Sequence, residues 1–298
     1  MKGVVLAGGT GSRLDPLTRI TNKHLLPVYD RPMVVYAIDA LQEAGVAELM
    51  LVTGGEHVDD FRRLLGDRFA YGNQQRPGGI AEALSLAREF IGVDRVVVIL
   101  ADNIFGGSIS ETIHNFQKQT KGARVLLAHV RETEHLRHLG VPRLESGRIA
   151  EIVEKPSDPP GRLAVTGLYC YEPDVFDVIA ELEPSGRGEL EITDVNNHYV
   201  GAGSLEYDVF GGYWGDAGES IDAYHEVIER SWPIASGVTD SGKTTVSFSG
   251  RTGRVAGKVS SSLGSSTSVS SIASLMTTSP RSRCFPRGPA PARRGAEW

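Results

Sequence analysis

The chain opens with a short apolar run, Val4-Val5-Leu6, that stops abruptly at Ala7-Gly8-Gly9-Thr10-Gly11-Ser12-Arg13. An unbroken apolar run of this kind reads as a strand buried on both faces of a parallel sheet. Ending it in glycines, hydroxyls and a cation makes a loop whose successive N–H groups can form a nest for an anion. Glycine permits positive φ and close approach because it has no Cβ. Arg13 and Lys23 can add full positive charge to that cradle. The same residues would also serve as a Gly-rich strand-to-helix turn with no ligand. The loop fits neither the dinucleotide pattern G-x-G-x-x-G nor a Walker loop, since no Lys-Ser/Thr follows it.

The next segments set the fold class. Pro32–Gly45 has apolar residues at helical spacing with Gly45 as a stop. Strands are expected at Glu48–Thr53 and Arg68–Asn73, and helices at His57–Gly66 and Gly79–Phe90. Arg95–Ala101 is the most strand-like run and ends at Asp102-Asn103. Strands alternating with helices imply an α/β fold, a parallel sheet with helices on both faces. Its ligand crevice belongs at the carboxyl ends of the strands, where Gly8–Arg13 and Asp102 both fall. The second half reads as strands at Ala123–Val130, Gly140–Leu144, Arg148–Glu154, Leu163–Tyr171 and Leu205–Phe210. The first four of these are expected to form a lobe continuous with the sheet. Helices are expected at Pro173–Leu182, Leu190–Tyr199 and Glu219–Arg230, with Tyr213–Gly218 as a loop.

Charge divides the chain near Trp232-Pro233. The whole carries a net −6, but residues 233–298 carry nine Lys/Arg against two Asp/Glu, a net +7, leaving −13 on residues 1–232. An acidic domain is a poor match for a general nucleic-acid binder. Two cysteines imply no disulfide framework. No apolar run approaches the ~20 residues a membrane helix needs, and no signal peptide opens the chain. A cytoplasmic protein without a membrane partner is the expectation. Two domains follow: residues 1–232 as a folded unit, and residues 233–298 as a Ser/Thr/Gly/Arg-rich, low-complexity tail that reads as disordered. Leu263, Val269 and Leu275 recur every six residues there, too few for a β-helix. Gly237–Thr244 spells a literal G-x-x-x-x-G-K-T, but it lacks the strand, helix and later aspartate of a P-loop.

Several side chains could carry chemistry. Asp102 follows six apolar residues, and a buried strand that delivers one carboxylate to a sheet edge suits a Mg²⁺ site in phosphoryl transfer. It would equally cap a turn or the helix near Ser108. Asp216, in Tyr213-Trp214-Gly215-Asp216, is the candidate second carboxylate. The Gln74 amide has a donor and an acceptor to offer a pyrimidine edge, or it is an ordinary surface polar group. Glu154-Lys155 taken alone reads as a solvated ion pair.

Residues 6–33, LAGGTGSRL followed by Lys23, Leu25-Leu26-Pro27, Tyr29-Asp30 and Pro32-Met33, resemble the opening signature of the sugar-1-phosphate nucleotidylyltransferases, most of all the glucose-1-phosphate thymidylyltransferases. The run PSGRGELEITDVN at 184–196 also looks much like that family's own. The resemblance covers roughly residues 1–231. It implies a Rossmann-like, mostly parallel mixed sheet flanked by helices, the nucleotide-diphospho-sugar transferase fold, with a sugar-side lobe. It implies transfer of a nucleotidyl group from dTTP to α-D-glucose 1-phosphate, giving dTDP-glucose and pyrophosphate, with Mg²⁺ as cofactor on Asp102 and Asp216. The nucleotide-binding positions it carries over are Leu6, Gly8, Gly9, Thr10, Gly11, Ser12, Gln74 and Gly79. The sugar-phosphate positions are Gly140, Glu154, Lys155, Val165 (with Thr166-Gly167) and Arg187. Arg13, Lys23 and Lys155 become the catalytic cations. A homo-oligomer is also implied.

This sequence departs from the pattern at three places. Leu139 replaces a tyrosine before the pocket glycine, Gly215 replaces a larger residue beside Asp216, and the link from Leu64-Leu65-Gly66-Asp67 to Tyr71 is short. A same-fold enzyme using UTP or another sugar phosphate, and a non-catalytic nucleotide-sugar-binding paralogue, are the alternative readings. Removing residues 233–298 is expected to leave activity and thermal stability almost unchanged, because the segment has no apolar pattern able to dock. A melting temperature several degrees lower in the shortened chain would show that it packs on the domain.

Overall fold

The computed structural model describes residues 1–235. The tail, its six-residue recurrence and the P-loop look-alike at 237–244 lie outside the described residues. In chain order, β1 is Lys2–Ala7, β2 Pro27–Val28, β3 Arg31–Pro32 and α1 Met33–Glu43. Then come β4 Leu49–Gly54, α2 Val58–Leu65, β5 Ala70–Gln74, α3 Ile80–Ser85 and α4 Arg88–Ile91. Next are β6 Val96–Leu100, β7 Asn103–Phe105, α5 Ser110–Lys118, β8 Ala123–His129 and α6 Thr133–Leu136. The remaining elements are β9 Gly140–Glu145, β10 Arg148–Glu154, β11 Leu163–Tyr171, α7 Val175–Glu181, α8 Ile192–Gly201, β12 Leu205–Phe210, β13 Trp214–Asp216 and α9 Ile221–Ala235.

The main sheet has seven strands in the order β12-β8-β11-β6-β1-β4-β5. Only β11 runs against the others, so the sheet is mixed and mostly parallel, as expected. Its strands alternate between two apolar layers. Val4, Leu6, Val52, Val98, Val125 and Tyr169 point to the side covered by α3, α7 and α8. Val5, Leu51, Val97, Ile99 and Leu126 point to the side covered by α1 and α5, where Ile38, Leu41, Ile113 and Phe116 meet them. Burial on both faces explains why these strands read as continuous apolar runs and not as alternating ones. A smaller cluster of Leu14, Val28, Met33, Ile104 and Tyr224 sits beneath the Gly-rich loop.

Four expectations need correction. Residues 79–90 make two short helices and not one, because the Ser85 hydroxyl donates to the Glu82 carbonyl (2.7 Å) and draws it from the helical ladder. The expected continuous lobe divides. The β8 and β11 strands join the main sheet, while β9 and β10 form a separate antiparallel hairpin. Ser146 (φ 49) and Gly147 (φ 77) make the two-residue turn that lets this hairpin close on itself. Asn197 of α8 then clamps it, bonding both the N–H and the carbonyl of Ile152 at 2.9 Å. Residues 213–218 are not simply a loop, since Trp214–Asp216 is a strand paired antiparallel with β7. Its partner lies over a hundred residues away in the chain, so no local pattern could reveal it. Finally, α9 runs to Ala235, past the change of composition at 232–233.

Candidate active site

Parallel strands end together, so β1, β4, β5 and β6 deliver their carboxyl ends to one edge of the sheet. Leu6 pairs with Leu100 and Gly54 with Gln74. The loop after β1, Asp102 after β6 and Gln74 at the end of β5 therefore line one cleft of about 410 Å³. Leu6, Gly8–Ser12, Arg13 and Lys23 form one wall, and Gln74 and Gly79 another. Glu154, Lys155 and Arg187 close the far end. Within the loop Gly11 has φ +64, and a Cβ there would stand 2.9 Å from Thr18 Cγ2. Both backbone and space thus require glycine.

The electrostatic centre is the pair Lys23–Asp102, with Nζ 2.5 Å from Oδ2. Burial alone would raise the Asp102 carboxyl. The Lys23 ammonium and the nearby His24 ring overcome that and hold it well below the usual carboxylate range. Asp216 goes the other way, pushed up to about 7 by burial and by the negative charge of Asp102. Its backbone is fixed beside Asp102. Asp216 is in register with Asn103, Ala217 N–H donates to the Asp102 carbonyl (2.9 Å), and Gly218 N–H donates to Asp216 Oδ1 (2.8 Å). A Cβ on Gly218 would fall 2.5 Å from Asp102 Oδ2 and 2.6 Å from Lys23 Nζ, so this pair fits only under a glycine.

Asp102 and Asp216 both act on the one Lys23 ammonium, a shortage of positive charge, and hard oxygen donors of this kind suit a divalent cation. No cluster of three or more His, Cys, Asp or Glu side chains is arranged to hold a metal among the described residues. Asp102 and Asp216 are the oxygen donors this part of the fold offers to such an ion.

At the far end, Lys155 has φ 47, a costly conformation for a residue with a Cβ, and its N–H donates to the Leu139 carbonyl (3.0 Å). Its ammonium lies 3.3 Å from Glu154 Oε1. Arg187 is held by Glu191 at 2.8 Å, with Glu154 and Glu189 each 3.7 Å away, and the Glu191 hydrogen bond raises its pKa. Thr193 donates to Glu154 Oε2 at 2.6 Å.

Five expected site residues, Gly140, Val165, Thr166, Gly167 and Asp216, do not line the cleft. Gly140 lies behind Glu154, where a Cβ would be 3.6 Å from Oε2. Val165 is buried in β11 opposite Leu127. Asp216 borders a second cavity of about 490 Å³, shared with His135 and Trp214. The departures have local explanations. A side chain on Gly215 would run into the Tyr213 hydroxyl (2.5 Å) and Val227 (2.7 Å), so Tyr213 occupies that space. The short link is tied by Tyr71 OH donating to the Gly66 carbonyl (2.7 Å), and Gln74 still reaches the loop. At Leu139 it is the backbone that holds Lys155.

Sequence reasoning missed His24, Asn103, Glu189, Glu191 and Gly218. Asn103 Oδ1 accepts from Gly167 N–H and from Trp214 Nε1, both at 2.7 Å, while its Nδ2 donates to Asp102 Oδ1 (3.1 Å). It ties β7, β11 and β13 to the central carboxylate. Its position directly after Asp102 was the only available signal.

Parallel strands that converge on a glycine loop and a buried carboxylate mark an α/β nucleotide-binding protein. Comparison with known proteins narrows this to a family. Residues 2–231 match the model described as nucleotidyl transferase, and the chain belongs to that family. It is 42% identical over 236 residues to the glucose-1-phosphate thymidylyltransferase of Neisseria meningitidis, covering 76% of this chain and 81% of that one. It is 39% identical over 236 residues to that of an Actinoplanes species, covering 76% and 77%. A solved Bacillus anthracis protein assigned as a glucose-1-phosphate thymidylyltransferase, crystallised with sucrose, superposes with a TM-score of 0.73 at 43% identity, covering 82% of this chain and 98% of that one. A UDP-glucose pyrophosphorylase complexed with UDP-glucose gives 0.68 at 26%, covering 78% and 98%. The fold is that of the nucleotide-diphospho-sugar transferases. Among the described residues no helix is long and apolar enough to cross a membrane.

The wall behind Asp216 generates a pH prediction. His135 Nε2 lies 2.5 Å from Glu219 Oε2, and its pKa is raised by Glu219, against burial, with Asp216 and Glu132 adding to the rise. A raised histidine stabilises the fold fully below its unfolded pKa of about 6.5, and the gain is lost as pH rises through the folded value. His135→Gln should therefore lower the melting temperature more at about pH 6 than at about pH 9. An equal deficit at both values would show that the pair contributes nothing through charge.

Proposed function

We propose that this chain catalyses transfer of the thymidylyl group of dTTP to α-D-glucose 1-phosphate, forming dTDP-glucose and pyrophosphate. The observation that carries the reading is the gathering of cations in one cleft. Arg13, Lys23, Lys155 and Arg187 all line it, together with the buried carboxylate of Asp102, which Lys23 holds at 2.5 Å. Such a cleft suits two phosphate-bearing molecules meeting over a metal-binding carboxylate. The relatives' named activity supports the particular substrates.

In this reading the triphosphate lies along Gly8–Ser12, its backbone N–H groups meeting phosphate oxygens. Arg13 and Lys23 balance the charge that builds on the departing pyrophosphate. Lys155 and Arg187 orient the sugar phosphate, whose oxygen attacks the α-phosphorus as the bond to pyrophosphate breaks. A phosphate monoester is already mostly dianionic near neutral pH, so no side chain has to remove a proton from it. Catalysis is then positioning plus charge neutralisation. Asp102 and Asp216 would hold Mg²⁺, which when bound neutralises charge on the phosphates. Glu154, braced by Thr193, faces the sugar hydroxyls, with Gly140 and Val165 behind that wall. Gln74 reads the base, with Leu6 and Gly79 beside it. Because uracil shares thymine's pairing edge, UTP is accepted at a lower rate. The difference rests on one methyl group, worth about 1–3 kcal/mol, and on the fit around the missing 2′-hydroxyl.

Asp102→Asn tests the centre of this reading. The variant should fold normally, because the side chain keeps its shape, and should lose nearly all turnover, since an amide is a poor ligand for Mg²⁺ and no longer balances Lys23. Near-normal kcat at saturating Mg²⁺ would remove Asp102 from the metal site.

A further inference from the structure

We propose that Glu82 sets the base specificity of the cleft by fixing which way round the Gln74 amide lies. The inference rests on the reading of Gln74 as the base contact. Gln74 is buried, and its Nε2 donates to the Gly79 carbonyl at 3.1 Å and to Glu82 Oε1 at 3.4 Å. An amide nitrogen carries two hydrogens, and these two acceptors account for both. Glu82, in the first turn of α3, is held in turn, since its Oε2 accepts from Arg76 Nη2 at 3.1 Å. Turning the amide over would set Gln74 Oε1 against a carbonyl and a carboxylate with no proton between them. The ionised partner makes that arrangement the more costly. Oε1 is therefore the end left for the cleft, and it lies against the loop. A Cβ on Gly8 would stand 3.2 Å from it.

A fixed acceptor at this position requires an N–H from the base. Thymine and uracil carry one N–H on the pairing edge, at N3. Cytosine's only donor on that edge is its 4-amino group, displaced from N3, and at N3 itself it carries a bare lone pair that would face the Gln74 oxygen. Guanine does have a ring N–H, so purines are excluded by size and not by this device. A released amide could turn and donate from Nε2 to the cytosine lone pair, while opposing thymine's N–H. Glu82 meets neither substrate nor reacting atoms in this account. It is a positioning residue, and its signature is a change in base preference, not in rate alone.

The test is kcat/KM for dTTP, UTP and CTP with glucose 1-phosphate, in the wild type, Glu82→Ala and Glu82→Gln, with melting temperatures alongside. The wild type should favour dTTP and UTP over CTP. Glu82→Ala should lower the dTTP-to-CTP ratio by about tenfold or more, with dTTP and UTP falling together and CTP rising. Glu82→Gln is uncharged and has one oxygen to share between Gln74 and Arg76, so it should lower the ratio as well, by less than Glu82→Ala does. Should Glu82→Ala fail to fold, Glu82→Met is read in the same way. Dissociation constants for dTDP and CDP report the same ratio without turnover. A Glu82→Ala enzyme that slows with all three nucleotides in proportion would overturn the inference and leave the proposed reaction standing. A wild type that uses CTP as well as dTTP would also overturn the inference, whereas one that uses none of the three would overturn the proposed reaction itself.

Discussion

The parallel pairing of β1 with β6 is the constraint on which the site depends. Leu6 stands beside Leu100, and Ala101 N–H donates to the Leu6 carbonyl at 2.9 Å. That register brings the Gly-rich loop and Asp102 out of the sheet side by side. Both strands are buried on both faces, so a slip of one residue would turn the whole apolar set against the wrong layer. The next pairings extend the same edge, β4 beside β1 and β5 beside β4, and so carry Gln74 to the loop. On the other side β11 runs antiparallel to β6, and Asn103 bonds its Gly167 N–H. Core packing thus fixes the positions of the chemistry.

Charge balance is the second constraint. The cleft is not a bare basic pocket, because each cation described there in an ion pair has a carboxylate at hand. Lys23 holds Asp102, Lys155 lies beside Glu154, and Arg187 is gripped by Glu191. Carboxylates at these points keep long cationic side chains in place before any phosphate arrives, which reduces the entropy lost on binding. They also make the site selective, since a ligand must bring enough negative charge to compete with them. The raised Asp216 carboxyl beside the depressed Asp102 carboxyl shows the same shortage of positive charge at the centre.

What could be read in the sequence was what local chemistry dictates. The apolar run into Gly8–Arg13, the isolated carboxylate after Arg95–Ala101 and the helix over Met33–Glu43 need only near neighbours to be recognised. The β13 strand, the independent β9–β10 hairpin and the bracing of Lys155 by Leu139 all depend on partners far along the chain. Gly215 looked like a loss beside the second aspartate, yet Tyr213 fills that space, a compensation visible only in three dimensions. The length of the short link before Tyr71 can be counted in the sequence, but the path that still brings Gln74 to the loop cannot. Glu82 carried no signal at all, since a glutamate in the first turn of a helix is ordinary.

The account's central claim is that this cleft joins a pyrimidine nucleotide to a sugar phosphate, and pyrophosphate release measures that directly. Purified enzyme would be supplied with Mg²⁺, glucose 1-phosphate and, in turn, dTTP, UTP, CTP, ATP or GTP. The account predicts the highest kcat/KM with dTTP, a lower value with UTP and little release from the other three. Greater release from a purine nucleotide than from dTTP, or none from any nucleotide, would contradict it.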